Sequence, residues 1–193
     1  MGAKHSAKQD DEVYNTYSKF RDRWTLSGWL NLWCDIYTRI NDIFNTENKI
    51  PIVELGCGSG QFAEMLKYFK LINWENYKGY DHSKVAISIA KEKLGEEFDF
   101  YVQDIEKMKP NMFFPGKNLI VSLEALEHVD DYAVLSRIPQ GSTIIASVPD
   151  CDSKSHIRFF KNVAQVEDRY KKYIKLEYIH MFQYFYILKG DIL

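Results

Sequence analysis

The stretch that most constrains the fold of this chain is a short apolar run, ending in an acid, that is followed by three alternating glycines. Ile50 to Leu55 has the composition of a buried strand, and Gly56, Gly58 and Gly60 follow it directly. From Phe62 to Phe69, apolar residues recur three and four positions apart, which is the spacing of one helix face. The glycines therefore lie at a strand-to-helix turn, where a ligand can approach the backbone and unpaired helix N–H groups.

The spacing of these glycines distinguishes between two classes of nucleotide-binding turn. Nicotinamide-binding turns have the pattern GxGxxG, but Gln61 stands where the last glycine of that pattern would be. The segment from Glu54 to Gly60 has instead the pattern E-x-G-x-G-x-G. In this pattern the chain resembles the class I S-adenosylmethionine (SAM) methyltransferases. The alternative is a glycine-rich turn whose role is structural only.

The resemblance implies an α/β fold: a Rossmann-like, seven-stranded, mostly parallel sheet with helices on both faces and an antiparallel C-terminal strand pair. It also implies SAM as the cofactor and S-adenosylhomocysteine as the product. In that family the acid at the position of Glu54 contacts the amino-acid portion of the ligand. The backbone of the glycine turn, here Gly56, Cys57, Gly58 and Gly60, lies against it.

A second acid, Asp81, follows a predicted strand at Tyr77–Tyr80 and lies 21 residues after Gly60. An α/β nucleotide fold places a carboxylate near this distance, where it accepts hydrogen bonds from the two ribose hydroxyls. The alternative is a helix cap, and Ser83 can equally cap the helix predicted from about Lys84. The resemblance implies that His82 flanks the adenine, although a lone histidine here is otherwise a surface residue.

Two further segments carry cofactor assignments that come from the resemblance. After the third predicted strand, it implies that Asp104 meets the adenine amino group and that the backbone N–H of Ile105 meets a ring nitrogen. At the end of the fourth predicted strand, it implies that Leu123 and Glu124 border the ligand.

A second group of polar residues follows the fourth and fifth predicted strands. Glu124, Glu127 and His128 are spaced i, i+3 and i+4, so they share one face if the segment is helical. His156 follows the fifth strand and offers a fourth ligand, and such a set can hold a divalent cation. The pattern is similar to that of ubiquinone-pathway O-methyltransferases and of small-RNA 3′-terminal 2′-O-methyltransferases, in which these positions hold a metal.

Two interpretations of this second group stay open. In one, Glu124, Glu127, His128 and His156 bind Mg²⁺ or Mn²⁺, which lowers the pKa of an acceptor hydroxyl. In the other, the acid borders the cofactor and the histidines line the acceptor pocket without a metal. In both, His128 and His156 are candidate catalytic bases, because imidazole titrates near neutral pH.

The length of 193 residues predicts one domain. We expect a disordered tail at residues 1–11 and a single methyltransferase domain at residues 12–193. Within that domain, residues 12–46 form a helical cap, broken near Ser27–Gly28, and residues 47–193 form the Rossmann-like core. Tyr14 and Tyr17 of the cap are candidate lid residues. The segment from Ile174 to Leu188 is expected to be the antiparallel strand pair.

Composition excludes several other classes of protein. The balance of 25 basic and 27 acidic residues gives no electrostatic support for nucleic-acid binding. Three widely spaced cysteines without a CxxC pair argue against a disulfide framework or a structural zinc site. The sequence has no apolar run of about 18 residues and no signal-peptide pattern, so the default expectation is a soluble cytoplasmic protein.

The function expected from these features is a SAM-dependent methyltransferase that methylates a hydroxyl of a small molecule. Two alternatives stay open: an RNA or protein methyltransferase, and a non-catalytic SAM-binding subunit. Asp150 stands where relatives often have Asn after the proline of the fifth strand, which leaves the acceptor undefined. The oligomeric state is not visible in the sequence.

Overall fold

The computed structural model describes residues 6–16, 25, 29–46, 50–71, 74–95 and 97–193. These residues divide into two compact units, residues 6–103 and residues 104–193. Tyr17 and the predicted helix break at Ser27–Gly28 lie outside the described residues. In the part of the chain that is described, no helix has both the length and the apolar character needed to cross a bilayer.

The first unit alternates strands and helices. Its strands pair in parallel, β1 with β2 and β2 with β3, so each connection between them is a crossover, and α3 and α4 lie in those crossovers. The elements are α1 (Ala7–Thr16), α2 (Leu30–Thr46), β1 (Ile52–Leu55), α3 (Gln61–Tyr68), β2 (Tyr77–Asp81), α4 (Lys84–Leu94) and β3 (Asp99–Val102).

The second unit contains a parallel strand pair followed by an antiparallel one. Strand β4 pairs in parallel with β5, β5 pairs antiparallel with β7, and β7 pairs antiparallel with β6. The two-residue turn of the β6–β7 hairpin begins at Gln183, which has a left-handed φ of 54°. The elements are β4 (Leu119–Ser122), α5 (Asp131–Leu135), β5 (Thr143–Pro149), α6 (Val163–Tyr170), β6 (Ile174–Phe182) and β7 (Phe185–Ile192).

The strand order is β3-β2-β1-β4-β5-β7-β6. The strands form a seven-stranded sheet that is mostly parallel and ends in an antiparallel C-terminal pair. This confirms the fold class expected from the sequence. Every residue of β1, β4 and β5 is buried, as their nearly continuous apolar sequences predict for parallel strands.

Helix α1 corrects part of the prediction that residues 1–11 are disordered, because residues 7–11 are helical, whereas residues 1–5 lie outside the described residues. A capping box begins the helix: the Ser6 backbone N–H donates to Oε1 of Gln9 (2.8 Å), and Gln9 N–H points to Oγ of Ser6 (3.4 Å). The polar composition of this segment suggested disorder, but Ser and Gln three residues apart satisfy the exposed N–H groups of a helix start.

Two glycines with similar left-handed φ angles test how tightly the turn after β1 is packed. A Cβ at Gly60 (φ 72°) would lie 2.9 Å from Cβ of Ala90 and 3.1 Å from Cζ of Phe100. A Cβ at Gly141 (φ 78°) would have no atom within 4 Å. We expect Gly60→Ala to lower the free energy of unfolding by about 1–3 kcal/mol more than Gly141→Ala, because only Gly60→Ala overpacks the core. Urea denaturation of both variants measures the difference, and equal losses would contradict this packing.

Candidate functional site

The glycine turn after β1 is bound directly to the end of β2. The backbone N–H groups of Gly56 and Cys57 both donate to the carbonyl of Tyr80, at 2.8 and 3.0 Å. The N–H of Gly58, whose φ of 51° is left-handed, donates to Oδ2 of Asp81 at 3.0 Å. The turn and the predicted ribose-binding acid therefore lie side by side, although 23 residues separate Gly58 from Asp81.

Asp81 is held by two backbone groups. In addition to the Gly58 bond, its Oδ1 accepts the N–H of Ser83 at 2.8 Å. Desolvation raises the pKa of Asp81, and the bond from Ser83, the His82 ring and the bond from Gly58 act in the opposite direction. Ser83, not Asp81, caps α4, because Oγ of Ser83 accepts the N–H of Ala86 at 3.0 Å.

Glu54, at the end of β1, is buried and hydrogen-bonded to an aromatic hydroxyl. Burial raises the pKa of Glu54 to about 8, the bond donated by the Tyr77 hydroxyl to its Oε2 opposes that rise, and the charge of Asp81 adds to it. Tyr77 was not a candidate from sequence, where it is simply the aromatic residue that begins β2. Its hydroxyl has room because Gly79 lacks a side chain: a Cβ there would lie 2.8 Å from the Tyr77 oxygen.

Helix α1 covers the glycine turn through Tyr14. The Tyr14 hydroxyl lies 2.7 Å from the position that a Cβ on Gly58 would take. Burial of this hydroxyl raises its pKa well above the usual value, and the charge of Asp81 raises it further. Tyr14 is thus the candidate lid residue that the described chain brings to the turn, and a ligand lying along Gly58 would share that space with it.

Two acids of α1 that sequence reasoning placed in a disordered tail bind the region after β2. Asp10 contacts Nε2 of His82. Asp11 accepts hydrogen bonds from Oγ of Ser83 (2.5 Å) and from the N–H of Val85 (3.1 Å). The only local signal for these contacts was the capping sequence of α1, since both partners are more than 70 residues away along the chain.

In the second unit, Asp104 acts as a cap in the structure. Its side chain accepts the N–H of Glu106 at 3.0 Å, at the start of a 3₁₀ turn over Ile105–Lys107, and pairs with Lys107 at 2.8 Å. Ile105 is buried. The assignments of Asp104 and of the Ile105 N–H to the adenine ring stay predictions.

The segment of Glu124, Glu127 and His128 is not an α-helix, so the condition under which the three residues would share one helix face is not met. Only a 3₁₀ turn over Leu126–His128 forms there, and Glu124 precedes it with a left-handed φ of 53°. Ser147 of β5 provides the physical reason: its Oγ accepts the N–H of Glu124 and donates to Oε1 of the same residue, both at 2.9 Å. Burial raises the pKa of Glu124 to about 7, with the Ser147 bond opposing the rise.

Three of the four predicted metal-ligating residues nevertheless converge. Glu127, His128 and His156 each offer one ligand atom, and these atoms lie within 4.8 Å of one another. Glu124 is not a member of this group. Glu127 is completely buried, and neither of its carboxylate oxygens has a hydrogen-bond partner among the described residues. Burial raises its pKa well above the usual value, and the charge of Glu124 raises it further.

Backbone carbonyls orient both histidines. Nδ1 of His128 lies 3.0 Å from the carbonyl of Ser155, and Nδ1 of His156 lies 3.2 Å from the carbonyl of Cys151. Because a carbonyl only accepts, each Nδ1 carries the proton, and Nε2 is left as the basic nitrogen. The ring centroids are 5.1 Å apart, and Nε2 of His128 lies 3.7 Å from Oε1 of Glu127. The cluster can bind a divalent cation or accept a proton.

Comparison with known proteins supports one family. The family model that matches the chain is described as "Methyltransferase domain", and the match covers residues 27–189. No curated protein matches the sequence.

Several solved structures have a similar fold. Magnesium protoporphyrin IX methyltransferase from Synechocystis PCC 6803, with bound SAM, has a TM-score of 0.66 and 14% identity over 100% of both chains. A SAM-dependent methyltransferase from Anabaena variabilis ATCC 29413 has a TM-score of 0.68 and 12% identity over 99% of this chain and 98% of its own. Phosphoethanolamine N-methyltransferase 2 from Haemonchus contortus, in complex with SAM, has a TM-score of 0.61 and 20% identity over 88% of this chain and 43% of its own. At these identities the similarity shows the fold.

The buried acid at the end of β1 predicts a pH-dependent stability. Glu54 has a pKa of about 8 in the folded chain and about 4.3 in the unfolded chain. Its contribution to the free energy of unfolding is therefore complete below about pH 4.3 and is lost as the pH rises toward 8. Glu54→Gln cannot ionise and lacks this loss. We expect the melting temperature of Glu54→Gln to rise relative to that of wild type between pH 5 and pH 8, by about 2–4 °C for each kcal/mol of stability that wild type loses.

The control for this measurement is Glu97→Gln, which changes an exposed acid of the same unit. Scanning calorimetry at several pH values should give this variant and wild type parallel curves. A difference between wild type and Glu54→Gln that does not change with pH would show that Glu54 is not protonated in the folded chain.

Proposed function

Because the chain belongs to the methyltransferase domain family, we propose that it is a SAM-dependent methyltransferase (EC 2.1.1.-) that transfers a methyl group to a hydroxyl of a small molecule. The observation that supports this most directly is the hydrogen bond between the Gly58 backbone and Asp81. It brings a carboxylate for a ribose diol to a glycine turn that a nucleoside can approach closely.

The residues at this turn suit the ribose and the amino-acid portion of SAM. Asp81 can accept hydrogen bonds from the ribose hydroxyls. Glu54 is a buried acid with a raised pKa, so a cationic amino group beside it would stabilise its ionised form. The remaining proposed cofactor contacts are Gly56, Cys57, Gly58, Gly60, His82, Asp104, Ile105, Leu123 and Glu124.

Bound SAM supplies a methyl group that is already activated by its sulfonium sulfur. The chain must then align an acceptor oxygen, exclude water and remove the hydroxyl proton. We assign proton removal to Nε2 of His128 or of His156, because each ring is already held through Nδ1 by a carbonyl.

Glu127, His128 and His156 also fit a divalent cation. The completely buried carboxylate of Glu127, with Glu124 beside it and Nε2 of His128 3.7 Å from its Oε1, is the observation that favours this role, since a cation would compensate its charge. Mg²⁺ or Mn²⁺ held there would supply Lewis-acid chemistry that lowers the pKa of an acceptor hydroxyl. Without a metal, the same histidines would line the acceptor pocket.

The small-molecule acceptor is supported by the near balance of acidic and basic residues, which provides no general attraction for RNA. Among the structural neighbours, one is named for magnesium protoporphyrin IX and another for phosphoethanolamine, so their names differ in acceptor. The acceptor class is therefore the part of the proposal that depends on direct assay.

Three assays separate the proposal from its alternatives. Transfer of label from methyl-labelled SAM by the purified chain alone would exclude a non-catalytic subunit. Release of S-adenosylhomocysteine with hydroxylated metabolites would support the small-molecule acceptor. Methyl incorporation at the 3′ end of a short RNA, or into protein, would overturn it.

Replacing Asp81 should weaken SAM binding. We expect Asp81→Ala to reduce affinity by about 1–3 kcal/mol, or roughly 5- to 150-fold, because the ribose hydroxyls lose their acceptor. Isothermal titration calorimetry with SAM measures this, with Asp99→Ala at the exposed start of β3 as the control. Because Asp81 also binds the glycine turn, the more conservative Asp81→Asn is compared in parallel. Unchanged affinity in folded Asp81→Ala protein would refute the ribose assignment.

The metal proposal predicts that a chelator abolishes methyl transfer and that Mg²⁺ or Mn²⁺ restores it. Glu127→Ala should prevent this rescue, because it removes the buried carboxylate of the cluster. Calorimetric titration with Mn²⁺ gives a readout that does not depend on turnover, and replacement of the exposed Glu167 of α6, Glu167→Ala, is the control. Activity that is indifferent to chelator, with no Mn²⁺ binding, would leave only the pocket role.

A further inference from the structure

One guanidinium group joins the two segments that carry the histidines. Nη1 of Arg158 donates to the carbonyl of Leu126 and, at 2.7 Å, to the carbonyl of Val129. These two carbonyls flank Glu127 and His128 in the chain. Arg158 itself lies two residues after His156, so a single side chain connects the segment of one histidine to the segment of the other.

A backbone hydrogen bond reinforces this connection. The N–H of Ile157, between His156 and Arg158, donates to the carbonyl of Glu127 at 2.9 Å. The turn over Leu126–His128 is a single 3₁₀ turn, which has little stability of its own. Its position therefore depends on these bonds from the segment after β5.

The guanidinium is anchored by a buried acid. Nη2 of Arg158 lies 3.4 Å from Oδ1 of Asp131, whose side chain is completely buried. Arg169 also pairs with Asp131, through Nη2 to Oδ1 (2.6 Å) and Nε to Oδ2 (3.1 Å). A buried carboxylate with two guanidinium partners is well compensated, and it fixes the plane of each. Among the described residues, the side chain of Arg169 hydrogen-bonds to Asp131 and, unlike that of Arg158, not to the turn that carries His128.

We propose that Arg158, oriented by Asp131, is a positioning residue that holds His128 and His156 together so that both face one acceptor hydroxyl or one cation. The inference rests on the catalytic or ligating role proposed above for the two histidines. A lysine cannot replace it, because a single ammonium does not reach two carbonyls and a carboxylate with the fixed geometry of a guanidinium.

The test compares Arg158→Lys, Arg158→Ala, Arg169→Gln and Arg137→Gln. Arg137 is exposed, and the bond that its side chain makes within the described part of the chain is a local one, to the carbonyl of Ala133, so it is the matched control. The first readout is the nuclear Overhauser effect between the ring protons of His128 and His156, whose centroids are 5.1 Å apart. We expect both Arg158 variants to lose it and both other variants to keep it.

The second readout is kinetic. We expect the Arg158 variants to lower kcat about 10- to 100-fold, the effect typical of groups that orient functional residues, with an unchanged KM for SAM. Millimolar guanidinium should partly restore kcat in Arg158→Ala, because it can refill the vacated position. Arg169→Gln should lower the melting temperature while keeping kcat, since it removes a partner of Asp131 but no bond to the turn.

Two outcomes would overturn the inference. One is a folded Arg158→Ala protein that keeps the ring-to-ring effect and the wild-type kcat. The other is an Arg169→Gln protein that loses both to the same extent as Arg158→Ala, which would show a general effect on stability. If wild type shows no methyl transfer, the proposed function fails, whereas the ring-to-ring effect still decides whether Arg158 positions the histidines.

Discussion

The hydrogen bond from the Gly58 N–H to the Asp81 carboxylate is the interaction on which the first unit's candidate site depends. It joins the turn after β1 to the end of β2, and it requires both a backbone without a side chain and an acid in register with it. The bonds from the backbone N–H groups of Gly56 and Cys57 to the carbonyl of Tyr80 also hold this turn to the end of β2. Because the parallel strands β1 and β2 end at the same edge of the sheet, Glu54 and Asp81 become neighbours there although they are distant in sequence.

Buried carboxyl groups with raised pKa values occur in both units. Glu54 in the first and the Glu124–Glu127 pair in the second are each desolvated at the carboxyl end of a strand. A fold tolerates a buried carboxyl group when it is neutral or when a positive charge lies beside it. Carboxyl groups with pKa values shifted in this way are common at functional sites. In the first unit the amino group of the proposed cofactor would supply that charge beside Glu54, and in the second unit a divalent cation or a protonated histidine would do so.

Much of the fold was predictable because apolar runs and glycine spacing are local signals. The strands before Gly56, Asp81 and Glu124 follow from short stretches of sequence, whereas the C-terminal strand pair was expected from the family resemblance. The left-handed backbone conformation of Glu124 was not predictable, since it is set by hydrogen bonds with Ser147, 23 residues later. The bond between Tyr77 and Glu54 was equally hidden, because it depends on the register of β1 with β2.

The position of α1 has a practical consequence for anyone who expresses this protein. From composition alone, the first dozen residues would be deleted to obtain a sample without a disordered tail. That shortened chain would lack Asp10 and Asp11, which bind α1 to His82 and to the start of α4. The remaining residues of α1 would no longer hold Tyr14 against Gly58. Ligand affinities measured on such a sample would describe an uncovered turn, and an affinity tag fused close to Ser6 would disturb the same contact.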